Sequence, residues 1–161
     1  MILKKIIHKI GKITSWLSLG LVLLISLDVL LRYIFNFSVA AMYEMEWHIF
    51  AIIFLLASPL TLQKNKHVRV DVFYNTFSKR KKNFIDLIGN VFFLIPFSFV
   101  VFYTSLPFVI DSYQILESSP DPGGLPFRFI IKSIIPIGFF LLMIQGILNT
   151  IDNINNLKVG K

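Results

Sequence analysis

Asp28, Arg32, Glu44, Glu46 and His48 are residue types that carry protons, hold cations or form ion pairs. Their spacing restricts what they can do. Asp28 and Arg32 lie four apart, on one face of a helix, and so do Glu44 and His48; Glu46 points elsewhere. A second polar group, "KNKHVRVDVF" at residues 64–73, gathers three cationic side chains, His67 and Asp71 between long apolar runs. These groups suit ion carriage by a buried acid, metal or haem ligation by His8, His48 and His67, or capture of a polyanion by the lysines and arginines. Which of these is open depends on the solvent around the rest of the chain.

That solvent is hydrocarbon. Of 161 residues, 55% are apolar and 16% charged, against about 25% charged in a soluble domain. The 17 phenylalanines exceed what a small aqueous core needs. The net charge of +7 is segregated. It lies at the start (Lys4, Lys5, Lys9, Lys12), between apolar runs (Lys64, Lys66, Arg69, Lys79, Arg80, Lys81, Lys82) and at the tail (Lys158, Lys161). This is a topological distribution and not a groove for nucleic acid, which is excluded as a partner. There is no cysteine, hence no disulfide and no thiolate chemistry. Haem needs facing ligands at one depth, whereas His8 and His67 fall at one surface and His48 at the other. Neither a cofactor nor a metal is expected. No serine elbow, zinc-protease helix or phosphate loop occurs, so no enzyme is expected.

A spanning helix takes about 20 apolar residues. Four runs qualify, at about 13–35, 44–62, 84–110 and 129–151. They lack the polar–apolar alternation of a barrel, and helices satisfy their own backbones in lipid. The expected fold is an all-α integral membrane protein, a single membrane domain over 1–161 with four transmembrane helices. The three cationic clusters place both termini and the 63–83 loop inside the cell, and the 36–43 and 111–127 loops outside. The first run is too long for a signal peptide and lacks a cleavage site, so it reads as a retained span. In residues 2–12, isoleucines and Leu3 fill one helical arc and lysines with His8 the other. This predicts a separate amphipathic interfacial helix facing anionic lipids, with Gly11 at the bend into the first span.

An ionisable group in hydrocarbon must be paired or near water. Asp28 and Arg32 can neutralise each other within one helix. Arg32 can also reach Glu44 across the short first loop, within the chain or across a subunit interface. Such a cluster staples helices or docks a partner; an ion-carrying site in a self-sufficient dimeric four-helix carrier is the alternative. Pro59, Pro96, Pro107 and Pro136 fall within or near the ends of spans and can kink them. The outer loop "DSYQILESSPDPGGLPFRF" is stiffened by Pro120, Pro122 and Pro126, and Gly123 and Gly124 permit tight turns. An ordered loop of this kind packs on its own spans or on a partner.

The residues now named resemble a pattern known from the small membrane subunits of tripartite ATP-independent periplasmic (TRAP) transporters, the DctQ-like small permeases. Arg32 and Tyr33 in "RYIFN" fit its arginine–tyrosine pair, and Glu44 its acid opening the second span. His67, Arg69 and Asp71 in "HVRVD" fit the cytoplasmic motif. Pro126, Lys132, Pro136, Gln145 and Gly146 fit the approach to the fourth span and the span itself. "EMEWHIFAIIFLLA" and "ESSPDPGGLP" are similar to a branch often labelled for mannitol or chloroaromatic compounds. The chain departs from the pattern at Ala57–Ser58, Ala41 and Phe129, where a glycine–alanine pair and two tryptophans are common. The resemblance implies a scaffold in the bacterial inner membrane bracing a large permease, which itself holds the substrate and sodium sites. A periplasmic substrate-binding protein would deliver the solute, usually an organic acid, and this chain would carry no cofactor.

Overall fold

The computed structural model describes residues 2–64 and 76–159. Within them the chain forms four long helices: α1 (Ile2–Phe35), α2 (Ala40–Gln63), α3 (Lys79–Gln114) and α4 (Phe129–Val159). Each is long and apolar enough to cross a membrane.

Residues 2–12 do not form the separate interfacial helix expected from their amphipathicity. They are the opening turns of α1, which runs unbroken for 34 residues. The reason is packing. Gly11, expected at a bend, is where Leu60 of α2 presses in; a Cβ there would lie 2.3 Å from Leu60 Cδ2. Ile7 is buried, the Gln63 amide donates to the Lys4 carbonyl at 2.9 Å, and Lys4 pairs with Asp152 of α4 at 2.5 Å. The segment thus rests on protein. At about 1.5 Å per residue, a helix of 34 residues overshoots a hydrocarbon core of roughly 30 Å.

The principal contacts run α1 on α2, α2 on α4 and α4 on α3. The helices therefore form a layer in the order 1–2–4–3, with α1 and α3 at its ends. What the layer buries is mostly polar. Ile7 and Leu62 are the buried large apolar residues, beside Thr14, Asp28, Glu44, Asn90, Ser98, Ser105, Ser112 and Gln145. This inversion follows from the solvent. Lipid gains nothing from hiding leucine, so helices meet through small and polar residues. On α1 the positions facing α2 repeat every seven residues, through Ile7, Thr14, Leu21 and Asp28; on α3, Ser98, Ser105 and Ser112 do the same. That period is the signature of long helices crossing at a shallow angle. Thr14 and Ser105 donate their hydroxyls to carbonyls of their own helices, Gly11 at 2.8 Å and Phe102 at 2.9 Å.

Two prolines shape the contacts. Pro59 has no N–H for the Leu55 carbonyl four residues back. That carbonyl faces Gly138 of α4, where a Cβ would stand 3.1 Å from the Leu55 oxygen. In α3, the turns Gly89–Leu94 widen to π geometry just before Pro96. The proline ring crowds the Phe92 carbonyl and offers it no donor, and the wider turn relieves both problems. Gly146 of α4 meets this stretch, with Leu94 Cδ2 only 2.4 Å from the place of its missing Cβ.

Candidate functional site

The polar residues converge where the loop between α3 and α4 folds over the first turns of α2. Glu44, in the second turn of α2, is 2% exposed. The Leu125 backbone N–H donates to its Oε2 at 2.6 Å. The Ser119 hydroxyl donates to Oε1, and the Arg128 guanidinium stands 3.5 Å from the same oxygen. Both carboxylate oxygens are therefore engaged. Arg128 also lies over the Trp47 ring, 6.0 Å from its centroid, and Trp47 packs edge-on to His48.

The loop is built to reach that carboxylate. Ser119 N–H donates to the Leu125 carbonyl at 3.0 Å, and Arg128 N–H to the Glu117 carbonyl at 2.7 Å. The Ser119 hydroxyl accepts from Asp121 N–H at 3.1 Å while donating to Glu44. Gly124 must be glycine for the loop to close, since a Cβ would sit 2.4 Å from Ser119 Oγ and 2.9 Å from Glu44 Oε2. The two ends of the loop hold positive-φ residues, Leu116 at 46° and Phe127 at 59°. Such angles strain a side chain with a Cβ and persist where surrounding bonds impose them. Pro126 lies exposed on the loop.

A second staple lies beside the first. Lys132 of α4 pairs with Glu117 of the loop, and its Nζ is 4.0 Å from the centre of the Phe108 ring on α3. One ammonium thus joins α4, the loop and α3. It holds the Glu117 carboxyl below the usual carboxylate range.

Arg32 does not take Glu44 as its partner. It pairs with Asp28, one turn earlier on α1, while Glu44 turns toward the loop. The reason is local. Asp28 is buried against α2 at 2% exposure, and a guanidinium four residues away reaches it without leaving the helix. Tyr33 is exposed on α1 at 79%. Gln145 is fully buried on α4. It donates to Asn149 at 2.7 Å, and Asn149 in turn reaches the Leu62 carbonyl at 3.5 Å, fastening α4 to the far end of α2. His67, Arg69 and Asp71 lie outside the described residues.

Glu44, Lys132 and Gln145 were singled out in the sequence, and Gly124 as a turn former; Ser119, Leu125, Arg128 and Glu117 were not among the candidates. Ser119 lies 75 residues from Glu44 along the chain. The signal that existed was the proline and glycine density of the loop, which called for a surface to pack on. That surface is the loop's own α2.

Chemically, the arrangement fastens. An acid that carries ions needs an oxygen to lend, and Glu44 has both committed to protein donors. A family model for the DctQ component of tripartite ATP-independent periplasmic transporters matches residues 21–156. None of the curated proteins searched matched the chain. DctQ-family proteins associate with a large permease and a substrate-binding protein in these systems. With its four membrane-length helices and a match across most of its length, the chain belongs to the DctQ family, as the non-catalytic small permease subunit of a TRAP-type transporter in the inner membrane.

Proposed function

We propose that this subunit braces the static part of a large permease during sodium-driven uptake of an organic acid or related solute, delivered by a periplasmic binding protein. The observation carrying this reading is that the buried acid Glu44 is spent on fastening, with both its oxygens engaged, while apolar residues line the outside of the layer. Such a body is stiff and has surface to lean on. The substrate and sodium sites belong to the large subunit. Co-expression of the two membrane subunits tests the proposal. They should co-purify in detergent, and uptake in proteoliposomes should need both, together with the binding protein. Uptake by this chain alone would defeat it and favour a self-sufficient carrier.

We further propose that both termini and the 63–83 loop face the cytoplasm, because the cationic clusters gather there. A cysteine placed at Lys79, in a chain with none of its own, should react with impermeant maleimide only from the cytoplasmic side. In this orientation "HVRVD" fastens the cytoplasmic face. Asp71→Ala should lower assembly or uptake while leaving substrate capture by the binding protein intact.

A further inference from the structure

At the Lys4 end of the layer, Lys4, Lys5, His8 and Gln63 line an open recess of about 340 Å³. Two of its walls are held in place. Gln63 is tied to the Lys4 carbonyl at 2.9 Å, and the Lys4 ammonium to Asp152 at 2.5 Å. Asp152 offsets one lysine. Among the described residues, Lys5 and His8 meet no acid, and both are exposed. Lys9 and Lys12 are exposed as well and continue the same helical face at spacings of three and four.

The face changes character one turn further on. Trp16, four residues after Lys12, is 69% exposed, followed by Leu19 and Leu23, also exposed. Lys5, Lys12 and Leu19 are seven apart, as are Lys9, Trp16 and Leu23, so cationic head and apolar tail share one stripe. Tryptophan marks the border between head groups and hydrocarbon. α1 overshoots the core, so its first turns reach the level of lipid phosphates. A soluble anion would use only the upper half of this stripe. A phospholipid matches all of it.

We propose that the recess and the stripe below it bind one anionic phospholipid, its phosphate against Lys5 and His8 and an acyl chain along Trp16, Leu19 and Leu23. Lipid binding here is testable on the chain by itself. Native mass spectrometry of the full-length protein in detergent would compare retention of phosphatidylglycerol and phosphatidylcholine with matched chains. Wild type should retain the anionic lipid preferentially. Lys5→Gln with His8→Gln should weaken that retention roughly fivefold for the lysine charge removed, whereas Lys158→Gln, away from the recess, should not. Equal retention of the two lipids, or an undiminished preference in the double variant, would overturn the proposal. Displacement of the lipid by inorganic phosphate at equal molarity would assign the recess to a soluble anion and overturn it too. A Trp47→Phe protein leaves Trp16 as the fluorescent reporter and needs no change to the recess. Its emission should shift with phosphatidylglycerol and not with phosphatidylcholine, and the same response to both would sink the idea.

Discussion

The backbone N–H of Leu125 donates to the carboxylate of Glu44 at 2.6 Å, joining the loop between α3 and α4 to the second turn of α2 across 81 residues of chain. The bond matters because of what its loss would strand. A shielded N–H without an acceptor is costlier than the bond itself is worth.

Glu44→Ala should therefore unfold the loop as well as trim a side chain. It leaves Leu125 N–H, Ser119 and Arg128 without their common acceptor. We expect a fall of several degrees in the melting temperature in detergent, and faster proteolysis within residues 115–128. Glu44→Gln keeps one acceptor oxygen and should lose less. Equal losses for the two variants would mean that the charge and its hydrogen bonds do not hold the loop.

Arg32 and Asp28 make a different prediction from Arg32 and Glu44. Arg32→Ala strands a buried acid in α1, at a cost of about 2.5–3.5 kcal/mol by insertion scales, read as reduced resistance to unfolding in mixed micelles. Exchanging Asp28 and Arg32 should restore part of that loss. Exchanging Arg32 and Glu44 should restore none, since each already has another partner.

The glycine contacts separate by what they touch. Gly146→Ala collides with the end of the Leu94 side chain, so Leu94→Ala should rescue it. Gly138→Ala meets Leu55 at its Cβ, 2.9 Å away, and at its carbonyl oxygen, 3.1 Å away, atoms that Leu55→Ala leaves in place. Overpacking of this kind costs about 1–3 kcal/mol, and only the Gly146 variant should be recoverable. Equilibrium unfolding of the single and double variants decides it.

Glu117 carries a pH dependence with a definite sign. Its pKa is lowered in the folded protein, chiefly by Lys132. Its contribution is therefore complete above the ordinary glutamate pKa and is lost as pH falls through the lowered value. Lys132→Gln should move that acid-side loss to higher pH and reduce its size. Melting temperature against pH for the two proteins checks this, and coincident acid limbs would refute it.

Much of the architecture was legible because hydrocarbon imposes simple demands. Apolar runs of membrane length mark the four helices, and the four-residue step from Asp28 to Arg32 marks their pair. The Arg32–Glu44 alternative arose because a sequence shows which residues share a face but not which partner is nearer in space. Glu44's true partners come from a loop whose backbone supplies a donor, and a backbone donor leaves no trace in residue types. The break expected at Gly11 failed for a related reason. A small residue between polar turns looks like a hinge until the leucine that fills its notch is known. Pro59 was legible as a disturbance, though the use of the carbonyl it frees, facing Gly138, was not.

The widened turn before Pro96 has a geometric corollary for α3. Counting back by sevens from Ser98 would put Val91 toward α4, yet Asn90 is the buried residue and Val91 is exposed. The π stretch works as a phase shifter, rotating everything upstream of it about the helix axis. Deleting one residue from this stretch would restore an ordinary helical pitch and re-aim the whole N-terminal segment of α3, Lys79–Ile88, with its cluster of lysines, toward a different neighbour.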